Sequence, residues 1–384
     1  MGQAPRPDGS PLNWKPLISL DGSPIEYSWK WNTSTSEPDV RYVEEPVGQF
    51  PGTELDPLNQ QATKELLHRL AAKIPSVDIN WVYHFLARFY DHDNSKYAQE
   101  IAGGAYAGTT IQIAVEHLPK GTVLKTYFFP RRLGENGLMS RTQWEDIIGE
   151  LDPKNAARTA LLNYLDSSPE GRLLTPFSLA IDNVQSSQSR LKWYFHTPHT
   201  SFSSVRDVMT LGGRISTTYN DKTLADLFEL VKAVTQLPSD FAEDAEVPAA
   251  PQWDSSAVAK FGDMGKTLSG FVYYFDIAPG KALPEVKIFI PTRYYSRDDA
   301  SLSNGLTKWM EARGRGQYCE RYLRMLDILS EHRRLSDSNG LQTFVACLFK
   351  SNGELDITTY LGAEAFHSGR MAQRPRATRR RGDY

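Results

Sequence analysis

The sequence predicts an α+β protein in which ten antiparallel strands close into a barrel inside a ring of helices. Strand-like segments occur in five consecutive pairs along the chain. The link within a pair is short enough for a hairpin, as at Leu118-Pro119-Lys120-Gly121, and a hairpin makes its two strands antiparallel. Helix-like segments fill the intervals between pairs. Closure then removes the unpaired edges that an open sheet would expose.

The predicted elements follow the spacing of apolar residues. Apolar residues at every second position indicate a strand, and a spacing of three or four residues indicates a helix. The predicted strand pairs are 25–32 with 40–44, 109–117 with 122–129, 177–184 with 190–196, 270–277 with 285–290, and 341–349 with 356–361. The predicted helices are 55–73, 79–90, 141–150, 154–165, 205–211, 224–237, 302–313 and 317–332. The repeated order strand, strand, helix, helix indicates one unit repeated around the barrel.

Composition and charge restrict the class of protein. A chain of 384 residues with 40% hydrophobic and 11% aromatic residues can bury a large core within one barrel domain. The formal net charge of −3 argues against nucleic acid or an anionic membrane as a partner. Cys319 and Cys347 are the only cysteines, which indicates a reducing compartment, and no apolar run is long enough to span a bilayer. We therefore expect a cytoplasmic protein.

Lysine and arginine residues recur on the predicted strands at positions that share one face. Side chains two residues apart on a strand point the same way, so Arg190, Lys192 and Tyr194 form one set and Lys125 and Tyr127 another. The full set of strand cations is Arg41, Lys125, Arg190, Lys192 and Lys287. In a closed barrel these groups would converge on the interior, where a cluster of cations is costly unless a highly charged anion meets it. The pattern predicts a phosphate-rich ligand surrounded by tyrosines.

Glu26 is the strongest candidate for a catalytic carboxylate. It lies in the apolar and aromatic run IEYSWKW at 25–31, where a carboxylate would be expensive to bury without a purpose. The alternative is a glutamate on the outer face of the barrel, paired with Lys30 or another surface cation.

Five segments resemble the fungal aromatic prenyltransferases of the dimethylallyltryptophan synthase family. They are PIEYSWKWN (24–32), VRYVEEP (40–46), LKTYFFPRR (124–132), RLKWYFHTP (190–198) and EVKIFIPTRYY (285–295). The resemblance runs in order from about residue 20 to about residue 362. It implies an ABBA-type barrel of ten antiparallel strands within a ring of helices. It also implies transfer of a prenyl group, usually from dimethylallyl diphosphate, to an aromatic acceptor in secondary metabolism such as alkaloid biosynthesis.

The resemblance also implies roles for single residues. Arg41, Lys125, Arg190 and Lys192 match the family's diphosphate ligands, and Lys287 stands where the family has a glutamine or a cation. Tyr127, Tyr194 and Tyr360 match the tyrosines that shield the carbocation. Glu26 matches the glutamate that accepts a hydrogen bond from the acceptor, from an indole N–H or from a phenolic hydroxyl. The site residues implied by the resemblance are thus Glu26, Arg41, Lys125, Arg190, Lys192, Lys287, Tyr127, Tyr194 and Tyr360.

Gln112 bears on the aromatic acceptor. Members of the family that act on free tryptophan tend to carry a lysine on the third strand, and the alignment places Gln112 in that position of the acceptor pocket. This departure weakens free tryptophan as the substrate. An indole-containing metabolite and a phenolic or polyketide aromatic both stay open as the acceptor.

The resemblance implies that magnesium is dispensable, so we expect no metal and no cofactor. Asp298 and Asp299 form an acidic pair, but the second half of an aspartate-rich metal motif is missing and a helix N-cap explains the pair better.

We expect three regions: an N-terminal segment 1–23, shorter than in the family, a barrel domain 24–365, and a basic, disordered tail 366–384. Dimethylallyl diphosphate and a small aromatic acceptor are the expected partners, and a monomer and a homodimer are both open. The short N-terminal segment leaves one alternative function, a truncated, non-catalytic barrel that binds diphosphate.

Overall fold

Ten antiparallel strands form a closed barrel in the computed structural model, which describes residues 14, 16–19, 21–105, 108–118, 121–135, 138–216, 220–250 and 270–373. The order around the barrel is β1-β10-β9-β8-β7-β6-β5-β4-β3-β2, with β2 paired to β1. The strands are β1 (Ile25–Asn32), β2 (Asp39–Glu44), β3 (Ile111–Leu118), β4 (Gly121–Phe128), β5 (Thr175–Asp182), β6 (Leu191–Thr197), β7 (Phe271–Ile277), β8 (Glu285–Ile290), β9 (Gln342–Phe349) and β10 (Leu355–Gly362). The predicted fold class is confirmed, and each predicted strand end lies within about two residues of the observed end.

Helices surround the barrel in the part of the chain that the structure describes. They are α1 (Gln61–Lys73), α2 (Asn80–Phe89), α3 (Asn94–Ala102), α4 (Arg141–Leu151), α5 (Ala156–Ser167), α6 (Pro169–Leu173), α7 (Phe202–Met209), α8 (Asn220–Thr235), α9 (Thr292–Tyr295), α10 (Asp299–Glu311), α11 (Cys319–Leu329) and α12 (Ser368–Gln373). The side chain of Asp298 caps α10 by accepting a hydrogen bond from Ser301 N, as the sequence predicts. None of these helices has the length and hydropathy needed to cross a membrane.

The sequence misplaces the start of α1 and misses four short helices. The segment predicted to be helical from residue 55 begins its helix only at Gln61, because the Asp56 carboxylate accepts hydrogen bonds from Gln60 N (2.8 Å) and Gln61 N (3.2 Å) and fixes a turn there. The helices α3, α6, α9 and α12 have too few apolar positions to give a helical pattern. In α3 only Tyr97 is buried.

The start of the predicted disordered tail is helical. Residues 366–384 were expected to be disordered, whereas Ser368–Gln373 form α12. Arg370 in this helix donates to the carbonyl of Leu329 and pairs with Glu331 Oε1 at 3.2 Å. Polar contacts with the end of α11, rather than apolar burial, hold this helix, so its hydrophobicity does not reveal it. The remaining tail residues, 374–384, lie outside the described part of the chain.

The barrel wall separates two apolar clusters. Trp193 and Phe195 on β6 are fully buried on the outer face, in the large core between strands and helices. Tyr194, between them, points inward and packs against a second cluster formed around Val272, Tyr274, Phe289 and Ala346. Because the strand period is two residues, the same strands build the outer core and line the interior.

Gly305 allows α8 and α10 to pack closely. A Cβ atom built on Gly305 of α10 would overlap the carbonyl oxygen of Ala233 in α8. A backbone atom cannot move aside as the end of a side chain can. The close approach of these two helices therefore requires glycine at this position.

We predict that Gly305→Ala destabilises the protein by about 1–3 kcal/mol, because the added methyl group forces the two helices apart. The measurement is the free energy of unfolding from urea denaturation. Gly149→Ala in α4 is the matched control, since its Cβ would meet the flexible end of Arg158, 2.9 Å away, and alanine favours the helix. Equal stability of Gly305→Ala and wild type would contradict the packing described here.

Candidate active site

Cations converge on one end of the barrel interior, which we call the cationic end. Strand alternation turns Arg41, Lys125, Lys192 and Lys287 inward, and Lys125, Lys192 and Lys287 are only 9%, 6% and 6% exposed. Arg190 lies one residue before β6, at the rim, with 41% of its side chain exposed. Lys30 on β1 is a sixth cation that the sequence did not identify. The structure thus brings together all five cations predicted from the sequence.

Four carboxylates lie among these cations, which the sequence prediction missed. Their ion pairs are Glu116 with Arg41 (2.9 Å) and Lys125, Asp182 with Arg190 (2.8 Å) and Lys192 (3.0 Å), Asp276 with Arg190 (3.1 Å), and Asp356 with Lys30 (3.5 Å) and Lys350 (3.3 Å). With Lys350 included, the cations named here outnumber these carboxylates at the cationic end. The carboxylates offset part of the cost of burying these cations, and the remaining positive charge favours an anion.

Burial of charge shifts the pKa values of these groups. Burial lowers the pKa of Lys287 to about 7, and burial together with neighbouring Lys192 lowers the pKa of Lys125 to about 8. Burial alone would raise the pKa of Asp182, but Lys192 and Arg190 outweigh it and lower the pKa to about 2. An anion bound at the cationic end would stabilise the protonated forms of both lysines.

A set of aromatic rings lies next to the cationic end. The ring centroid of Tyr194 lies 6.0 Å from that of Tyr127, 5.4 Å from that of Tyr274 and 5.8 Å from that of Phe289. The centroid of Phe289 lies 5.7 Å from that of Tyr360. Lys287 Nζ sits 5.4 Å from the Phe289 centroid and 5.7 Å from that of Tyr360, so the rings border the cations directly. Tyr274 belongs to this set, although the sequence did not single it out.

Glu26 faces the interior at the opposite end of the barrel, which we call the Glu26 end. It is 9% exposed, and Thr343 Oγ1 donates a hydrogen bond to its Oε1 at 2.6 Å. The alternative, a surface glutamate paired with Lys30, is wrong because Lys30 pairs with Asp356 at the cationic end. Burial raises the pKa of Glu26 to about 7, against the opposing effects of Thr343 and of the Arg293 charge. A carboxylate with this pKa can accept and release a proton at neutral pH.

A β-bulge aims Thr343 at Glu26. Tyr360 pairs with Phe344 and Leu361 with Gln342, so Thr343 is the extra residue on β9. An extra residue breaks the strand alternation, so the consecutive side chains of Thr343 and Phe344 can both point toward the interior. No feature of the sequence marks this bulge, which explains why Thr343 was missed.

Gln112 lies on the inner face of β3 at the same end, and its amide is already engaged. Gln112 Nε2 donates to Glu45 Oε2 at 3.3 Å, and the same carboxylate oxygen accepts from Leu17 N at 2.8 Å and Ile18 N at 3.3 Å. Gln112 thus links the barrel wall to the N-terminal segment. The structure therefore places Gln112, a predicted acceptor-pocket residue, at the Glu26 end, where its amide N–H already donates to Glu45.

Arg293, in α9 directly after β8, also lies at the Glu26 end. It is 5% exposed, and its guanidinium carbon sits 5.0 Å from the centroid of Phe344, a ring of the inner cluster. The sequence did not identify it, because it follows the strand and alternation does not predict its direction. Burial lowers the pKa of Arg293 to about 10, so it stays charged at neutral pH.

We predict that Thr343→Val raises the pKa of Glu26 above its value of about 7. In the wild type the Thr343 hydrogen bond stabilises the ionised carboxylate, and valine cannot donate that bond. The measurement is the carboxyl ¹³C NMR titration of glutamate-labelled protein, assigned with Glu26→Gln. Thr359→Val is the control, since the Thr359 hydroxyl accepts a hydrogen bond from Trp31 Nε1 and is not the donor to Glu26. A Glu26 titration unmoved by Thr343→Val would contradict the geometry.

The fold matches solved prenyltransferase structures. The chain superposes on AnaPT from Neosartorya fischeri with a TM-score of 0.74 over 92% of this chain and 81% of that chain, at 24% identity. It superposes on NotF, solved in complex with brevianamide F and DMSPP, with a TM-score of 0.70 over 92% of this chain and 83% of that chain, at 19% identity. At these identities the likeness concerns the fold, which is the ABBA barrel.

Sequence comparison identifies the family. Residues 1–325 match the family model described as tryptophan dimethylallyltransferase. The chain is 55% identical to a prenyltransferase of Pestalotiopsis microspora, over 100% of this chain and 85% of the relative. It is 46% identical to xanthone prenyltransferase B of Emericella nidulans, over 100% of this chain and 83% of the relative. The chain belongs to the tryptophan dimethylallyltransferase family and is an aromatic prenyltransferase. The alternative of a truncated, non-catalytic barrel is not supported.

Proposed function

We propose that the chain transfers a dimethylallyl group from dimethylallyl diphosphate to an electron-rich aromatic acceptor by Friedel–Crafts-type alkylation. The observation that carries the proposal is the order of groups inside the barrel. Cations lie at one end, aromatic rings border them, and a buried carboxylate lies at the other end. This order matches the needs of the leaving group, the carbocation and the acceptor in turn.

The cations would bind the diphosphate and promote loss of the leaving group. When the allylic carbon–oxygen bond breaks, the bonding electron pair goes to the diphosphate, whose negative charge increases. Arg41, Lys125, Arg190, Lys192 and Lys287 would stabilise that charge. Two of them, Lys125 and Lys287, have pKa values lowered by burial and gain most from a neighbouring anion. These cations supply the charge stabilisation that a divalent metal provides elsewhere, and we propose that the reaction needs no metal.

The aromatic rings would protect the allylic cation from water. Tyr127, Tyr194 and Tyr360 lie within one connected set of rings next to Lys287, where a carbocation would form. A ring face attracts a cation without bonding to it, so the cation survives until the acceptor carbon attacks. Burial raises the pKa of all three phenols, which keeps them neutral and prevents a phenolate from trapping the cation.

Glu26 would activate the acceptor. Its carboxylate can take the proton of an acceptor O–H or N–H, which raises electron density on the aromatic ring. The ring carbon then bonds to the prenyl carbon, the proton on that carbon passes to the released diphosphate, and Glu26 returns its proton to the acceptor oxygen or nitrogen. We propose an oxygenated aromatic rather than free tryptophan, because Gln112 replaces the lysine expected for tryptophan and a xanthone prenyltransferase is 46% identical to this chain.

We place the enzyme in the cytoplasm, since Cys319 and Cys347 are both free thiols.

We predict that the purified chain, with EDTA present, converts dimethylallyl diphosphate and a phenolic acceptor to a product heavier by one prenyl unit. We also predict that Glu26→Gln lowers kcat by about 10²- to 10⁴-fold, because the acceptor proton loses its base. Because Glu26 acts in its ionised form, kcat/KM for the acceptor falls as pH drops through about 7. The measurement is mass spectrometry of the product over a pH series. Full activity of Glu26→Gln would remove Glu26 from the mechanism, and activity that depends on added Mg²⁺ would contradict metal independence.

We predict that Lys192→Ala weakens the binding of inorganic diphosphate by about tenfold or more, because a charge-assisted contact to the anion is lost. Isothermal titration calorimetry measures the dissociation constant directly. Lys96→Ala is the control, since Lys96 is exposed on α3 and pairs with Asp93 outside the barrel. If Lys192→Ala and Lys96→Ala bind diphosphate with equal affinity, Lys192 is not a ligand.

A further inference from the structure

Arg293 is a buried charge whose guanidinium has no hydrogen-bonded partner among the described residues. Its Nε atom is buried without a hydrogen-bond partner, and within the described part of the chain its guanidinium makes no hydrogen bond and no ion pair within 4.0 Å. A guanidinium carries five N–H donors in a fixed plane. A buried Nε–H donor without a partner is costly, so its presence needs an explanation.

The backbone around Arg293 is held in place, although the side chain is not. Thr292 Oγ1 donates to Gln342 O at 2.9 Å, and Asn339 Nδ2 donates to Arg293 O at 2.7 Å. Both contacts anchor α9 to β9 and to the loop before it. These contacts therefore fix the point from which the Arg293 side chain extends, which helps to preorganise a binding group.

Arg293 lies on the interior side of the barrel wall at the Glu26 end. Phe344 beneath its guanidinium contacts the inner ring set, with its centroid 6.4 Å from both Phe289 and Tyr360. Glu26 is the opposite charge that acts on Arg293 most strongly, and Thr343 already donates to that carboxylate. A molecule placed against the aromatic rings would thus meet both the Glu26 carboxylate and the guanidinium.

We propose that Arg293 binds a carboxylate or carbonyl oxygen of the aromatic acceptor, and that the enzyme's acceptors are hydroxylated aromatics that carry such an oxygen beside the reacting ring. The planar donors of arginine match two oxygens of a carboxylate, or a carbonyl oxygen and a neighbouring hydroxyl. Glu26 takes the proton of the acceptor hydroxyl while Arg293 fixes the second oxygen. An acceptor without that oxygen leaves Arg293 unpaired and binds more weakly. This inference rests on the proposed function and extends it to the acceptor.

Matched acceptors test the inference. We compare 1-hydroxy-2-naphthoic acid with 1-naphthol, which differ only by the carboxylate, in wild type, Arg293→Met and Arg293→Lys. Both acceptors are assayed over the same pH series in every variant, so that a change in the pKa of Glu26, which alters the pH profile, is separated from the loss of the Arg293 contact. We expect Arg293→Met to lower kcat/KM for the acid by about 10- to 100-fold, mainly through KM, and to change that for 1-naphthol by less than about threefold. Arg293→Lys restores part of the loss.

The stability of Arg293→Met separates a binding role from a structural one. Methionine keeps much of the side-chain volume, and the variant removes a buried charge that forms no ion pair, so we expect its Tm to equal or exceed that of wild type. The affinity for inorganic diphosphate should be unchanged, which shows that the cationic end is intact. A large fall in Tm would mean that Arg293 supports the fold and would overturn the inference.

Equal losses for the two acceptors, or no loss for the acid, would also overturn it. If wild type prenylates neither naphthalene, the proposed phenolic acceptor fails, and binding alone decides the role of Arg293. Isothermal titration of 1-hydroxy-2-naphthoic acid then shows either tighter binding to wild type than to Arg293→Met, which supports the inference, or equal binding, which overturns it.

Discussion

Lys192 and Arg190 share the carboxylate of Asp182 inside the barrel, and similar pairs join Lys125 to Glu116 and Lys30 to Asp356. Buried charges are costly to leave unpaired, and among the proposed ligands Arg41, Lys125, Arg190 and Lys192 each have a carboxylate partner, whereas Lys287 contacts the Thr358 hydroxyl. The partners are fewer than the cations. The fold is therefore possible without the ligand, and the excess of positive charge still favours an anion at this end.

The electrostatic environment changes along the barrel interior from the cationic end to the Glu26 end. Close to the cations, Lys287 borders Phe289 and Tyr360, so an allylic group attached to a bound diphosphate would extend onto aromatic surface. Farther along, Glu26 has few polar neighbours, and burial holds its pKa near 7. Lys192 and Arg190 lower the pKa of Asp182 and keep it ionised. Glu26 has fewer cations nearby, so burial dominates its pKa and the carboxylate can exchange a proton near neutral pH. The two ends of one barrel thus provide two different electrostatic environments.

The sequence predicts the barrel well because alternation is a direct consequence of strand geometry. On β6, Lys192 and Tyr194 face the interior while Trp193 and Phe195 face the helices, as the period of two requires. Alternation does not identify the four carboxylates, because an acidic residue on a strand equally fits a solvated face. Thr343 depends on a bulge and Arg293 on a short helix after β8, and both depart from the strand period. Thr343 and Arg293 are therefore candidates whose positions depend on tertiary structure rather than on the strand period.

A crystal structure with the thio-analogue of dimethylallyl diphosphate, in which sulfur replaces the bridging oxygen, would test the central claim most directly. The account predicts the diphosphate among Arg41, Lys125, Arg190, Lys192 and Lys287, with the prenyl chain against Tyr194 and Tyr360 and pointing toward Glu26. The carboxylates of Glu116 and Asp182 should keep their contacts to lysine or turn away from the anion. A diphosphate bound outside the barrel, or a prenyl chain directed away from the aromatic rings, would contradict the account.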